Sequence, residues 1–286
     1  MRTIEVDLVA SPAAMLWPLL RARAAAQAPI LALPELTYVR PRVLLSRGHI
    51  DAYARVCGFA AAQGVPLTYP QLLAFPLLMM FLASPDCPWP ALGTVHLANR
   101  IRQHAPLRPG DALRVELATG HLNAHPKGQL FALETRILRD GDLVWESSQC
   151  LLRRDVKAPC GPAFASSLST HPPLSVQAEL DAGAGIGRRY ARVSGDYNPI
   201  HLAALTARLF GFRRAIAHGM WTKARALATL LPQAELGRAT ATVEFRSPWL
   251  LPARALLWST GRRHFEVRNS AGSHLHLAGQ LEYDMA

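Results

Sequence analysis

Tyr190-Ala191-Arg192-Val193-Ser194-Gly195-Asp196 repeats, 137 residues later (190 minus 53), the stretch Tyr53-Ala54-Arg55-Val56-Cys57-Gly58-Phe59. Five of the seven positions are identical, and self-similarity at one fixed separation marks a chain built from two copies of a module. The sequences downstream of the two copies also agree in kind. After the first come Val65-Pro66-Leu67-Thr68 and the apolar run Leu72 to Leu82, read as a buried helix broken near Pro76. After the second come Ile200-His201-Leu202 and an apolar segment from Ala203 to Leu231, punctuated by Gly211 and Gly219.

Each copy then gives way to strand-like sequence. In the first half Leu113 to Leu117, Leu130 to Leu138 and Leu143 to Leu152 alternate polar with apolar, with turns at Pro109-Gly110-Asp111, Pro126-Lys127-Gly128 and Arg139-Asp140-Gly141-Asp142. In the second half Thr240 to Phe245, Ala253 to Ser259, His264 to Asn269 and His274 to Tyr283 do the same. A helical stretch followed by an antiparallel meander, twice, predicts an α+β fold of two curved antiparallel sheets, each wrapped around one long helix. Asp155 to Pro173, with Pro159, Gly161, Pro162, three serines, Pro172 and Pro173, has a linker's composition. The expected division is therefore 1–154, a linker 155–173, and 174–286. Near the N-terminus, Pro12 to Ala26 is compatible with a short amphipathic helix.

Half of the 286 residues are hydrophobic and 18% are charged, which is ordinary globular composition. No apolar run reaches the 18 or so residues of a membrane span, and the charged start at Arg2 and Glu5 does not resemble a secretory signal. Cys57, Cys87, Cys150 and Cys160 are too scattered for a disulfide framework or a metal clip, so reduced thiols and a cytoplasmic location are expected. The net charge is +11, but only three of the 31 basic residues are lysines and the arginines are dispersed. Nucleic acid is therefore not the expected partner. Scattered solvated arginine is the plain explanation, and an electropositive mouth for phosphate groups or an acidic carrier protein is the alternative.

The second copy departs from the first where charge enters. Phe59 becomes Asp196 and Gly64 becomes His201. In Ser194-Gly195-Asp196-Tyr197-Asn198-Pro199-Ile200-His201 a carboxylate and an imidazole lie five residues apart, with Gly and Pro to shape a turn and Asn198 as a further hydrogen-bonding group. Converging on one water, the two can take a proton and return one elsewhere. Further on stands Ala217-His218-Gly219-Met220-Trp221, where a glycine opening an apolar helix leaves a backbone N–H with the positive helix end behind it. An acid/base pair beside an oxyanion donor is what hydration of an α,β-unsaturated thioester requires.

Tyr190-Ala191, Ser194-Gly195-Asp196, Asn198-Pro199-Ile200-His201, Gly211-Phe212 and Ile216-Ala217-His218-Gly219-Met220 together resemble the signature of the MaoC-like and R-specific enoyl-CoA hydratases. That resemblance implies a double hot-dog fold with a degenerate N-terminal copy, and reversible conversion of 2-enoyl to (R)-3-hydroxyacyl thioesters. It implies Asp196 and His201 as the catalytic dyad, Asn198 as its orienting group and Gly219 as the oxyanion donor; Ser194, His218 and Arg246 are separately expected to contact the substrate. No metal or redox cofactor is implied, because coenzyme A or acyl carrier protein is part of the substrate. A homodimer would be compatible with the sheet edges. One departure is Ala203, where family members commonly carry Asp; alanine cannot cap the following helix.

Plainer explanations accompany these assignments. The dyad turn would otherwise be a hydrogen-bonded turn alone, and His218 is first a packed helix-start residue. His96, His104, His121 and His125 read as ordinary histidines of the half without the dyad. Arg100, Arg102 and Arg246 are either solvated strand residues or phosphate contacts. Ala182-Gly183-Ala184-Gly185-Ile186-Gly187 reads as a loop at the mouth, lacking a suitable strand before it and helix after it. Thioester hydrolysis and non-catalytic binding of an acyl thioester remain the rival functions.

Overall fold

The computed structural model describes residues 2–6, 30–89, 93–168 and 173–286, and the segment Pro12 to Ala26 lies outside them. In the first half, β1 (Arg2–Glu5) and β2 (Leu36–Leu44) precede helices α1 (Arg47–Cys57) and α2 (Gln71–Ala83), then β3 (Thr94–Gln103), β4 (Ala112–His125), β5 (Gly128–Arg139) and β6 (Asp142–Arg154). The second half repeats this plan with β7 (Ser175–Ala182), α3 (Ile186–Ser194), α4 (Ala204–Arg208), α5 (Gly219–Leu230), β8 (Leu236–Phe245), β9 (Ala253–Thr260), β10 (His264–Asn269) and β11 (Leu275–Met285). Among the described residues of 155–173 there is no helix or strand, only a bridge between Ala124 and Ala163.

The strand order is β1-β2-β4-β5-β6-β3-β8-β11-β10-β9-β7. From the middle outward, β3-β6-β5-β4-β2 mirrors β8-β11-β10-β9-β7, so each half contributes an equivalent five-stranded unit. The two expected sheets are joined edge to edge, β3 pairing antiparallel with β8 from Ala98↔Glu244 to Gln103↔Ala239. Among the described strands, only β1, added parallel to β2, breaks the antiparallel pattern. This is the double hot-dog arrangement, with the seam between the copies hidden inside one continuous sheet.

The repeated heptapeptide forms the last turns of α1 and α3. Both helices end on a left-handed glycine, Gly58 at φ 84° and Gly195 at φ 77°, whose N–H bonds back to Ala54 and Ala191 respectively. Only glycine takes that conformation without penalty, which explains why it survives in both copies. The helices pack on each other through Tyr53 and Tyr190, with ring centroids 6.1 Å apart. In α2, Leu72, Leu73, Ala74, Leu77, Leu78 and Phe81 are buried against the sheet. The break expected at Pro76 does not occur, because the helix runs on to Ala83. Seven of its 13 residues are buried and none is exposed, and that burial outweighs the hydrogen bond that proline removes, as tertiary packing commonly does.

Four strands, β1, β2, β3 and β7, are not among those expected from the sequence. On β3 the buried positions include Asn99 and Gln103, β2 contains Pro41 and a register shift between Arg40 and Val43, and β7 is an edge strand exposed along most of its length. Asn99 is polar because it meets Lys223, a fully buried residue of α5. Lys223 Nζ donates to Asn99 Oδ1 at 2.6 Å, Ala241 O at 3.0 Å and Asn99 O at 3.3 Å, so it ties both halves at the β3–β8 seam. Burial drives its pKa well down, while three oxygens match the three N–H of the ammonium form.

Candidate active site

Gly195 turns the chain out of α3, and short-range hydrogen bonds then hold the loop residue by residue. Ser194 Oγ accepts from the Asp196 N–H at 3.1 Å, Asp196 Oδ1 accepts from the Asn198 N–H at 3.1 Å, and Asn198 Oδ1 accepts from the Ile200 N–H at 3.3 Å. Asn198 thereby caps the single 3₁₀ turn Pro199–His201. The expected loop at 182–187 is instead the tight connection from β7 into α3. A Cβ on Gly187 would stand 1.9 Å from the His201 carbonyl oxygen, so glycine is required for α3 to lie directly against the backbone of the dyad histidine.

His201 is 8% exposed, and its Nδ1 lies 2.8 Å from the Ile216 carbonyl oxygen. A carbonyl can only accept, so Nδ1 carries the proton and Nε2 keeps its lone pair. Burial lowers the His201 pKa, with Asp196 acting in the opposite direction, and the ring is therefore a neutral base. His218, at 2% exposure, stacks on His201 with centroids 3.7 Å apart and donates from Nε2 to the Asp196 backbone carbonyl at 3.0 Å. Burial, followed by His201, pushes its pKa down to about 3. The Asp196 carboxylate, 31% exposed, lies 3.8 Å from His218 Nε2. One polar atom each of Asp196, His201 and His218 fall within 4.8 Å of one another.

Such a trio invites comparison with a metal centre. The two imidazoles, however, stack at an interplanar angle of 25°, which sends their in-plane lone pairs along separate planes, and His218 Nε2 is spent on the Asp196 backbone. The donors suit a bound water better than an ion.

Gly219 opens α5 and so offers one of the helix's free N-terminal N–H groups. A Cβ there would come within 2.9 Å of the Phe245 ring, which is packed on the bare glycine. The dyad residues and this donor meet through His218, which precedes Gly219 and bonds to Asp196. Of the residues assigned toward the substrate, Ser194 has its hydroxyl turned to the Asp196 N–H, and His218 sits inside the cluster. Arg246 stands apart. Its guanidinium pairs with the buried Glu244, and strand alternation puts both on the sheet face opposite Phe245. Arg102 is likewise engaged by Glu146, at 3.3 Å.

Two positions that the sequence did not mark belong here. Gly187 was hidden among other glycines. His96, which reads as ordinary in sequence, comes from β3 of the N-terminal half and packs against Phe245, with ring centroids 4.9 Å apart and the rings tilted by 52°. Nothing in its sequence neighbourhood signals this, since only the β3–β8 seam brings it close.

In the N-terminal copy, Phe59, Gln63, Val65, Gln103, Leu107 and Leu236 line the corresponding place. That place has no acid/base pair.

Known proteins of one family are similar to this chain in sequence and fold. Residues 174–253 match the family model described as MaoC like domain. The chain is 35% identical over 256 residues to 3-hydroxyacyl-thioester dehydratase X of Mycobacterium tuberculosis, covering 87% of this chain and 90% of that protein. A crystal structure of HtdX from M. tuberculosis superposes with a TM-score of 0.72 at 33% identity, over 87% of this chain and 100% of that one. A MaoC-like dehydratase from Phytophthora capsici shares the fold at 20% identity, with a TM-score of 0.72 over 90% and 97% of the two chains.

Proposed function

The chain belongs to the MaoC-like dehydratase family, and from that premise we infer that it is a hydro-lyase acting reversibly on acyl thioesters, adding water across the α,β bond of a 2-enoyl chain and removing it from a 3-hydroxyacyl chain. The observation that carries this inference is the convergence of the Asp196 carboxylate and the bare His201 Nε2 beside the free N–H of Gly219.

In the forward direction the thioester carbonyl accepts from the Gly219 N–H, which lowers the energy of the enolate that forms as oxygen bonds to C3. Water lies between Asp196 and His201. Nε2 takes one of its protons, the hydroxyl adds to C3, and the pair returns one proton to C2, so the net change is one water gained and no charge is left behind. His201 can serve as this base because its other nitrogen is held by Ile216 O. Asp196 steadies the imidazolium that forms. His218 fixes the Asp196 backbone, and Asn198 and Ser194 fix the loop. The substrate supplies its own activation through the thioester.

Finer features are part of the same proposal. The (R) configuration follows from the family resemblance. Coenzyme A and acyl carrier protein share the pantetheine arm, and a chain of net charge +11 complements the acidic groups of either. No helix among the described residues is long and apolar enough to cross a membrane, and the four cysteines are free. The free cysteines fit a cytoplasmic reaction.

The test is a spectrophotometric assay on crotonyl-CoA and longer enoyl thioesters, run in parallel with a free-thiol assay. Loss of the conjugated thioester without thiol release is expected. Thiol release matching substrate consumption would assign hydrolysis instead, and absence of both would leave a binding protein.

A further inference from the structure

We infer that His96, delivered by the N-terminal half, is a substrate-binding residue of the active site whose Nε2 accepts a hydrogen bond from the bound acyl thioester. Four observations meet at this residue. The β3–β6 register slips between His96 and Ala98, and a bulge of this kind turns a side chain to the other face of its sheet. It puts His96 on the side of Phe245, the strand-end residue of the other half, at 4.9 Å between rings. Phe245 in turn lies on Gly219, so His96 and the oxyanion donor flank one aromatic ring.

The third observation is chemical. The Ala98 backbone favours a proton on the His96 ring, while Nε2 is buried and has no partner among the described residues. With Nε2 unpartnered, the proton of the neutral ring is placed on Nδ1 and Nε2 is left as an acceptor. Fourth, burial and then Lys223 push the pKa of this ring down to about 4, with Asp196 pulling it up. His96 is thus neutral and stands within the field of the dyad carboxylate. A buried acceptor without a donor costs folding free energy, and native proteins tolerate such atoms chiefly where function needs them. The duplicated but inactive half then supplies the active one with a polar contact.

This inference rests on the hydro-lyase assignment. A bound acyl thioester offers two neutral donors, the 3-hydroxyl of the hydrated chain and an amide N–H of the pantetheine arm, and the test separates them. His96→Leu and His96→Gln are compared with wild type in the full chain, by steady-state kinetics of dehydration of a 3-hydroxyacyl-CoA, which carries both donors, by inhibition of enoyl-CoA hydration and by thermal unfolding. His96→Leu is expected to raise KM about tenfold, the equivalent of one neutral hydrogen bond, with kcat changed less than about threefold and Tm unchanged or higher. His96→Gln, which keeps an acceptor, recovers most of the loss. If the hydroxyl is the donor, His96→Leu weakens inhibition by a 3-hydroxyacyl-CoA but not by the saturated acyl-CoA of equal length. If the amide is the donor, both weaken alike. An unchanged KM in His96→Leu overturns the inference, and so does a joint fall of Tm and kcat, which marks a packing role. Wild-type turnover in the same plates reports separately on the hydro-lyase assignment.

Discussion

Replacing Gly187 with alanine tests whether the dyad histidine is held by backbone packing. Gly187 is the second residue of α3, and at an ordinary helical position the change to alanine would stabilise by about 1 kcal/mol. Here the new Cβ would sit 1.9 Å from the His201 carbonyl oxygen, a backbone atom that cannot rotate away, whereas real Cβ contacts essentially never fall under 3.0 Å. Helix and loop must separate by at least about 1.1 Å, the difference between those two distances. The His201 Nδ1 to Ile216 O bond, at 2.8 Å, then stretches past hydrogen-bonding range. Displacing a reacting group by 1 Å can cost about 100-fold in rate. Overpacking costs about 1–3 kcal/mol, partly offset by helix propensity, so the fold survives. The expected variant melts as one species, loses up to about 2 kcal/mol, and hydrates crotonyl-CoA about 100-fold more slowly. Gly183→Ala is the control, because its nearest neighbour would be Asp181 Oδ2 at an ordinary 3.7 Å. Equal turnover by the two variants would refute the packing role of Gly187.

Ala203 is the N-cap of α4, with extended backbone and no side-chain cap. Ala203→Asp should therefore stabilise by about 1 kcal/mol, raising Tm by about 2–4 °C with turnover unchanged; identical melting curves would show that the end of α4 is not limiting. Buried histidines set the pH dependence of stability. The folded pKa values of His96, about 4, and His218, about 3, lie below the usual histidine value, and that of His201 is also lowered. The unfolded chain thus binds more protons, and stability is full above about pH 6.5 and falls as pH drops toward those folded values, each ring withdrawing up to about 1.4 kcal/mol per pH unit. Urea unfolding midpoints at pH 7.5, 6 and 5 should decline in that order. A midpoint that rises on acidification would contradict neutral burial of these rings.

Much of the fold was legible because duplication is a property of sequence. The heptapeptide marked two modules, and seven strands announced themselves through alternation and turn residues. The hidden elements have physical reasons for being so. β3 lines the seam with Asn99 and Gln103, polar inside because Lys223 and the Leu236 and Gly237 carbonyls receive them, so its pattern does not alternate. The helix through Pro76 is held by burial that no local rule registers. At the site, Asp196, Asn198, His201 and Gly219 were legible because they share one short segment and one helix start. Arg246 pairs with Glu244, which neither charge nor strand position in the sequence reveals. His96 was invisible, since its place depends on a bulge and on pairing between residues of different halves.

The dyad itself is tested most directly by kcat for hydration of crotonyl-CoA in Asp196→Asn, His201→Ala and the double variant, with folding checked by circular dichroism. Each single change should lower kcat by at least about 100-fold, and the double should be little worse than the poorer single, because the two groups act on one water. Wild-type turnover in either single variant would contradict the account.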